Sequence, residues 1–227
     1  GFLDGCTSYG TQLLWPVSNI RISWNVVSII DPLFTLPVLI LVFVAFERKQ
    51  ARYARYALAY ALIFLSLGVV QRERAESVAL ALAEERGHIP TRLTVKPTIG
   101  NRYLWRLIYE HEGRYYVDAA TVGWDKVPIH GASIDKLDVA SDYPWLPPDS
   151  IQARDIERFR WFSDGFIARN PDNNLMIMDV RYSLVPNELA PLWVIRLKPE
   201  EPRAHVEYLN TRDLTPGSRQ RFLEMLI

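Results

Sequence analysis

The residues best suited to chemistry lie at the start of the chain, in a polar segment that precedes apolar sequence. Residues 1–12 combine one acid, Asp4, with small and hydroxyl-bearing side chains. The polar side chains that accompany Asp4 are Thr7, Ser8, Tyr9 and Gln12. Because unpaired polar groups are costly to bury near lipid, so polar a segment beside apolar spans requires a reason. The segment is either an exposed loop with a helix cap or a site built around Asp4.

A second acid, Asp31, stands at the beginning of an apolar segment and is followed by Pro32. Aspartate at the N-cap and proline at the first helical position are both favoured at helix starts. An N-cap role therefore accounts for Asp31 fully. A catalytic role for Asp31 is a second interpretation that the sequence allows but does not require.

The remaining ionisable groups give little support for other chemistry. The histidines are His88, His111, His130 and His205, and no two of them have the HExxH or HxH spacing of a metal site. The single cysteine, Cys6, excludes an intrachain disulfide. Charge is balanced, with 26 basic and 26 acidic residues, so no net field argues for a nucleic-acid partner.

Several residues of the C-terminal part are best explained as structural. We predict that Trp105, Trp161 and Trp193 anchor the core, with stacking on a sugar or a base as the alternative. Asp179 and Arg181 are two positions apart on a predicted strand and therefore share one face. We predict that they form a buried ion pair.

Two neighbouring apolar segments, residues 26–46 and 51–70, predict a transmembrane helical hairpin. Roughly 20 helical residues span the hydrocarbon core of about 30 Å, and both segments reach that length only by including flanking residues. The alternative is a buried hairpin in a soluble protein. Neither segment has a polar face, and this favours lipid as the surrounding medium.

The loop between these segments predicts the orientation. Residues 47–55 hold four basic side chains and one acid, and short loops rich in Lys and Arg stay in the cytoplasm. The sequence thus predicts residues 1–30 and the part after residue 71 on the outer side, which is periplasmic in a Gram-negative bacterium.

We predict a membrane region at residues 1–70, including a polar segment at 1–25, and a soluble α+β domain at 71–227. The domain is expected to contain a mostly antiparallel sheet with flanking helices, because strands joined by short turns alternate with grouped helices. Predicted helices cover 71–86, 149–168 and 216–227, predicted strands cover 93–96, 103–110, 114–118, 175–182, 192–197 and 205–209, and 123–150 is predicted to be loop.

The motifs around the two acids resemble a known family. The strongest matches are Leu3-Asp4, Thr7–Pro16 (TSYGTQLLWP) and Ile29–Pro37 (IIDPLFTLP), and weaker ones occur at Pro97–Arg106, Arg160–Ser163 and Asp179–Tyr182. In these motifs the chain resembles the YdjM-like family of bacterial inner-membrane metal-dependent hydrolases.

The resemblance implies an inner-membrane protein with a divalent metal ion, for which zinc is one candidate. It assigns Asp4 as a metal ligand, with Thr7, Ser8, Tyr9 and Gln12 as neighbours. The family's other ligand motifs, among them a His-Arg-Gly-x-x-His-Ser stretch, would precede residue 1. Since a catalytic metal needs about three protein ligands, this chain is expected to be the C-terminal part of a longer protein and inactive alone.

Two functions follow as hypotheses. In the first, the parent protein is a membrane-bound hydrolase in which metal-activated water attacks an ester or phosphoester, with Asp4 and Asp31 in the catalytic site. In the second, the protein is a membrane-tethered binding or assembly module without catalytic activity. The lipid bilayer is a predicted partner in both.

Overall fold

The computed structural model describes residues 1–201, 203–213 and 215–226. Within these ranges the helices are α1 (Phe2–Cys6), α2 (Pro32–Arg48), α3 (Ala51–Glu85), α4 (Val139–Asp142), α5 (Ile151–Phe162) and α6 (Pro216–Glu224). The strands are β1 (Arg92–Pro97), β2 (Leu104–His111), β3 (Arg114–Val122), β4 (Lys126–Asp135), β5 (Ile167–Arg169), β6 (Met176–Asp179), β7 (Trp193–Arg196) and β8 (Glu207–Asn210).

The strands form two four-stranded antiparallel sheets, ordered β1-β2-β3-β4 and β5-β6-β7-β8. Each strand pairs with its sequence neighbour, as short connections favour. In the second sheet, Ile177 of β6 lies opposite Ile195 of β7, and Ile195 lies opposite Tyr208 of β8. The predicted mixture of helices and antiparallel strands is confirmed, although two sheets are present where one was expected.

The chain divides into two compact units. The N-terminal unit comprises Gly1–Leu82, Thr94–Leu107 and Ala120–Pro128, and the C-terminal unit comprises Ala83–Leu93, Ile108–Ala119 and Ile129–Ile227. The predicted boundary between residues 70 and 71 falls inside α3, so α3 does not end where the apolar sequence ends.

The prediction of a transmembrane hairpin is wrong, and α2 shows why. Asp31 caps the helix and Pro32 begins it, so residues 26–30, which the prediction included in the first span, lie before the helix. The 17 residues of α2 extend about 26 Å at the helical rise, which is less than the hydrocarbon core of about 30 Å.

Helix α3 is the one helix of the described residues that is long and apolar enough to cross a bilayer. It has 35 residues and combines the second predicted span with the predicted helix 71–86. It ends before Gly87, whose φ of 71° is the left-handed conformation common just after a helix. The large aliphatic and phenylalanine side chains of α2 and α3 that are more than half exposed are Leu33, Leu36, Leu39, Ile40, Phe43, Phe46, Leu58, Leu62, Ile63, Leu67, Val70 and Leu80.

The N-terminal unit has a small apolar core where the polar segment meets α3. Val26 and Val27 are buried together with Cys6 and Phe64. A side chain at Gly68 of α3 would place its Cβ 2.3 Å from the carbonyl oxygen of Val26. Only glycine allows so close an approach, and Gly68 therefore permits the segment before α2 to pack directly on the helix.

The C-terminal unit has an apolar core against the second sheet. One face of α5, including Ile156 and Phe159, packs with Ile167, Ile177 and Ile195 of the second sheet. The spacing of apolar residues in α5 fits one buried helical face.

The predicted pair of Asp179 and Arg181 is confirmed within the C-terminal unit. Arg181 Nη2 donates to Asp179 Oδ2 at 2.7 Å and to the carbonyl oxygen of Phe162 at 2.8 Å. Both side chains are buried, so each charge depends on the other for compensation.

The region predicted as loop, residues 123–150, contains the ten-residue strand β4 and the short helix α4. Strand β4 lies at the edge of its sheet, where proline and exposed residues are tolerated. A side chain at Gly131 would meet the Val117 carbonyl at 2.1 Å, so this glycine serves close backbone approach and does not mark a turn.

The predicted helix 149–168 is shorter in the structure. Helix α5 ends at Phe162, and Asp164 and Gly165 then adopt positive φ values of 50° and 77°. This conformation ends the helix and turns the chain into β5.

Candidate active site

Asp4 and Asp31 line the same cleft in the N-terminal unit. The cleft has a volume of about 530 Å³. Its walls come from residues 3–11 and 27–31, and its floor comes from the first two turns of α2. We call it the Asp4 cleft. The structure therefore brings together the two acids that the sequence singled out.

Asp4 offers an accessible carboxylate. It lies in α1, and 70% of its side chain is exposed. One carboxylate oxygen is 3.3 Å from the amino group of Gly1. Thr7 donates both its amide, at 3.0 Å, and its hydroxyl, at 2.7 Å, to the backbone carbonyl of Asp4. Since the bonds from Thr7 go to the backbone carbonyl, the exposed carboxylate of Asp4 stays accessible from the cleft.

Asp31 is buried and performs the predicted capping role. Its Oδ1 accepts hydrogen bonds from the amides of Leu33, at 3.0 Å, and Phe34, at 3.2 Å. These are two of the amides that a helix start leaves without a helical partner. The N-cap prediction is confirmed, and the catalytic role of Asp31 stays a prediction.

Arg102 lies close enough to Asp31 to feel its charge. Its guanidinium donates to the carbonyl oxygen of Phe64 at 2.7 Å and lies 3.6 Å from the centre of the Phe64 ring. Burial lowers the pKa of Arg102, and the negative charge of Asp31 opposes that shift. Arg102 therefore binds α3 through Phe64 and carries its positive charge near Asp31.

The predicted neighbours of Asp4 separate into two groups. Thr7 and Tyr9 line the cleft. Ser8 is buried outside the cleft lining, and Gln12 donates to the carbonyl oxygen of Asn19 at 3.4 Å. Ser8 and Gln12 therefore belong to the framework of the segment.

The cleft is also lined by three hydroxyl residues that the sequence did not single out, Thr11, Ser28 and Thr35. Only tertiary packing brings residues 27–31 and α2 to the first segment, so spacing along the chain gave no signal for Ser28 and Thr35. With Asp4, these hydroxyls give the cleft a polar, hydrogen-bonding surface beside its apolar lining residues.

Lys96 of β1 connects the polar segment to the first sheet through hydrogen bonds. The ammonium group donates to the carbonyl oxygen of Ser8 and to Asn25 Oδ1, both at 3.1 Å. Gly100 donates its amide to the hydroxyl of Ser28 at 3.3 Å. The walls of the cleft are thus held in place by residues some 70 to 90 positions later in the chain.

The described residues do not form a complete metal site. No group of three His, Cys, Asp or Glu side chains within them could hold a metal ion. Asp31 already caps α2, and burial raises the pKa of the Cys6 thiol, which disfavours the thiolate that binds metals. Asp4 is suited to be one ligand, but a catalytic metal needs about three.

A second cluster, which the sequence analysis missed, lies in the C-terminal unit. The rings of His88 and His111 stack with their centres 4.3 Å apart, and His88 Nδ1 is 2.9 Å from the Tyr109 hydroxyl. Tyr109 in turn stacks on Tyr116 at 4.9 Å. The alternation of Tyr109 and His111 along β2 was the available signal, because alternate residues of a strand share a face.

The charges around His88 favour its neutral form. Its pKa is lowered by burial and, next, by the neighbouring His111 and Arg86. Arg86 also forms a two-point ion pair with Asp118, at 2.6 and 2.8 Å. His88 therefore lies beside the ion pair of Arg86 and Asp118.

The three predicted core tryptophans differ in their surroundings. Trp105 is fully buried, as predicted, and Trp193 packs at the edge of the C-terminal core. The prediction is wrong for Trp161, which is 53% exposed and lines a surface groove with Tyr208. It lies on the side of α5 that faces away from the core.

Comparison with known proteins extends these observations for the N-terminal part. The model of the family described as YdjM inner membrane protein matches residues 1–75, which include both acids, α2 and the apolar part of α3. No curated protein and no solved structure matches the chain significantly. Residues 1–75 are thus similar to the YdjM inner membrane protein family, and this similarity supports an inner-membrane location.

Proposed function

We propose that the protein is a membrane-bound hydrolase and that the Asp4 cleft is the part of the active site that this chain contributes. The observation that carries the proposal is that Asp4 and Asp31, far apart in sequence, line one cleft at the start of an apolar helix. In this proposal Asp4 is the catalytic carboxylate. Asp31 is a positioning residue, because its carboxylate fixes the first turn of α2.

The lining of the cleft favours an amphipathic substrate. Asp4, Thr7 and Ser28 provide polar contacts, whereas Val38 and Leu39 continue the cleft along the apolar surface of α2. A lipid ester or phosphoester would place its head group at the polar end and its acyl chain against α2. The scissile bond would then lie beside Asp4.

The resemblance supplies the remaining part of the proposal. It places further metal ligands before residue 1, and together with Asp4 these would complete a divalent metal site. Residues 1–227 by themselves are then expected to be inactive.

Activity measurements test the proposal directly. A chromogenic phosphodiester and a phospholipid are supplied to the protein in nanodiscs with Zn²⁺, Mn²⁺ or Mg²⁺, with and without the natural sequence that precedes residue 1. We expect hydrolysis only from the longer protein, and its loss in Asp4→Asn but not in the matched surface variant Asp149→Asn. Equal activity of Asp4→Asn and wild type would remove the cleft from the active site. A folded longer protein without activity would favour the binding module instead.

We further propose that the C-terminal unit lies on the periplasmic side. The support is the basic loop at residues 47–55, because loops of this kind stay in the cytoplasm. In a Cys6→Ala background, an impermeant thiol reagent applied to intact cells should label Ser141→Cys and spare Gln50→Cys. The opposite labelling pattern would invert the orientation.

A further inference from the structure

A fully exposed tryptophan stands at the turn between β3 and β4. The turn comprises residues 123–125, and Trp124 has 101% of its surface accessible. Tryptophan is enriched at membrane interfaces, where the apolar ring and the polar N–H meet different surroundings.

Hydrogen bonds within the N-terminal unit determine which residues of α3 lie beside this turn. Arg74 Nη2 donates to the carbonyl oxygens of Gly123, at 2.6 Å, and Trp124, at 3.1 Å. Gln71 donates to the carbonyl oxygen of Val122 at 2.8 Å. The turn is therefore held at the level of residues 71–74 of α3.

This level coincides with the end of the apolar part of α3. The uncharged run of α3 closes at Val70, and Arg74 lies about 6 Å farther along the helix axis at the helical rise. A bilayer spanned by the apolar part would have its head groups at this height. Tryptophan is enriched in that layer, where its ring is apolar and its N–H can bind water or lipid.

A second aromatic group lies at the same level on a different segment. Arg72 donates to the carbonyl oxygen of Trp24 at 3.2 Å. The indole of Trp24, which is 36% exposed, packs edge-on against Phe2 at 5.3 Å. Aromatic side chains from two segments thus lie at the height where the apolar part of α3 ends, as in the aromatic belts of membrane proteins.

We propose that the turn carrying Trp124 is a second membrane anchor, whose indole inserts into the head-group layer of the bilayer that α3 spans. The proposal rests on the membrane location of α3 and is independent of hydrolysis. Because Trp124 and α3 contact lipid at separate points, the anchor would restrict rotation of α3 about its own axis.

Site-directed fluorescence tests the anchor. In a Cys6→Ala background, an environment-sensitive dye is attached at Trp124→Cys, with Leu62→Cys as the marker within the apolar part of α3. The matched control is Trp161→Cys, which replaces an exposed tryptophan of the C-terminal unit. The proteins are placed in nanodiscs of phosphatidylethanolamine and phosphatidylglycerol that contain lipids with a quencher near the head group, and position 62 is measured in matched nanodiscs whose quencher lies within the acyl chain.

We expect quenching at position 124 to be several-fold stronger than at position 161, with emission shifted to shorter wavelength. Quenching at 62 but not at 124 would overturn the anchor and leave α3 in the membrane. Absence of quenching at both 62 and 124 would overturn the anchor together with the membrane location of α3. As a check without labels, Trp124→Phe should reduce quenching of intrinsic fluorescence by brominated lipids, and unchanged quenching would also overturn the anchor.

Discussion

Replacing Asp31 separates the two roles that its position suggests. Asparagine caps a helix about as well as aspartate, whereas alanine provides no acceptor for the amides of Leu33 and Phe34. Loss of an N-cap costs about 0.5–2 kcal/mol, and a buried donor left without a partner costs about 1–3 kcal/mol. We therefore expect Asp31→Ala to destabilise the start of α2 by about 1–3 kcal/mol. Asp31→Asn should keep the cap and lose only the interactions of the charge, which are that with the helix dipole, about 0.3–1 kcal/mol, and that with Arg102.

Hydrogen exchange at the first turn of α2 provides the measurement. Since 1.4 kcal/mol corresponds to a factor of ten, the amides of Leu33 and Phe34 should exchange about ten- to a hundredfold faster in Asp31→Ala. In Asp31→Asn the increase should stay below about tenfold. Hydrolysis by the longer protein, if present, should survive in Asp31→Asn. Equal exchange in the alanine variant and wild type would refute the cap, and loss of activity in a well-capped asparagine variant would make Asp31 catalytic.

Three further predictions concern packing and charge. Gly68→Ala should destabilise the N-terminal unit, because its Cβ would overlap the carbonyl oxygen of Val26; an unchanged melting temperature would show that the segment can move away. Arg181→Met should cost about 3–5 kcal/mol by leaving the Asp179 carboxylate buried without compensation, and chemical unfolding should show less than additive loss when Asp179→Asn is added. Because burial and nearby positive groups lower the pKa of His88, the free energy of unfolding should fall as pH decreases below about 6.5. Thermal unfolding should show a weaker pH dependence in His88→Phe, and an identical dependence would exclude His88 as the cause.

Local sequence signals predicted the elements whose structure is set locally. The hairpin of β2 and β3 follows from strand alternation on either side of Glu112-Gly113, and both residues adopt the positive φ that tight hairpin turns require. The N-cap at Asp31 and the helix end before Gly87 also depend only on neighbouring residues.

Features that depend on contacts between distant parts of the chain could not be predicted from the local sequence. Strand β4 was predicted as loop because proline and glycine usually interrupt strands. Pro128 is tolerated because β4 is an edge strand. Gly131 is required because the carbonyl oxygens of Val117 and Asn187 lie too close for a side chain. The first apolar segment was predicted to be longer than α2 because Val26 and Val27 were included in it. These two residues precede α2, and their apolar side chains pack with Phe64 of α3.

The two acids of the candidate site could be predicted from the sequence, but the shape of the cleft could not. Asp4 and Asp31 stood out as isolated charges beside apolar sequence. Their convergence depends on how the polar segment folds over the start of α2, which brings Ser28 and Thr35 into the same cleft. No spacing rule along the chain encodes that arrangement.

The buried amine of Lys96 has a consequence for how this protein can evolve and be dissected. It is 4% exposed and binds both Ser8 and Asn25, although it belongs to the sheet that follows the membrane helix. If the chain were divided between residues 70 and 71, the fragment after residue 70 would contain the Lys96 amine without its acceptors. The fragment before residue 71 would lose the hydrogen bonds that Lys96 donates to Ser8 and Asn25. Recombination that exchanged the first sheet for another domain would lose the same hydrogen bonds. The membrane part and the first sheet are therefore expected to be inherited as a single unit.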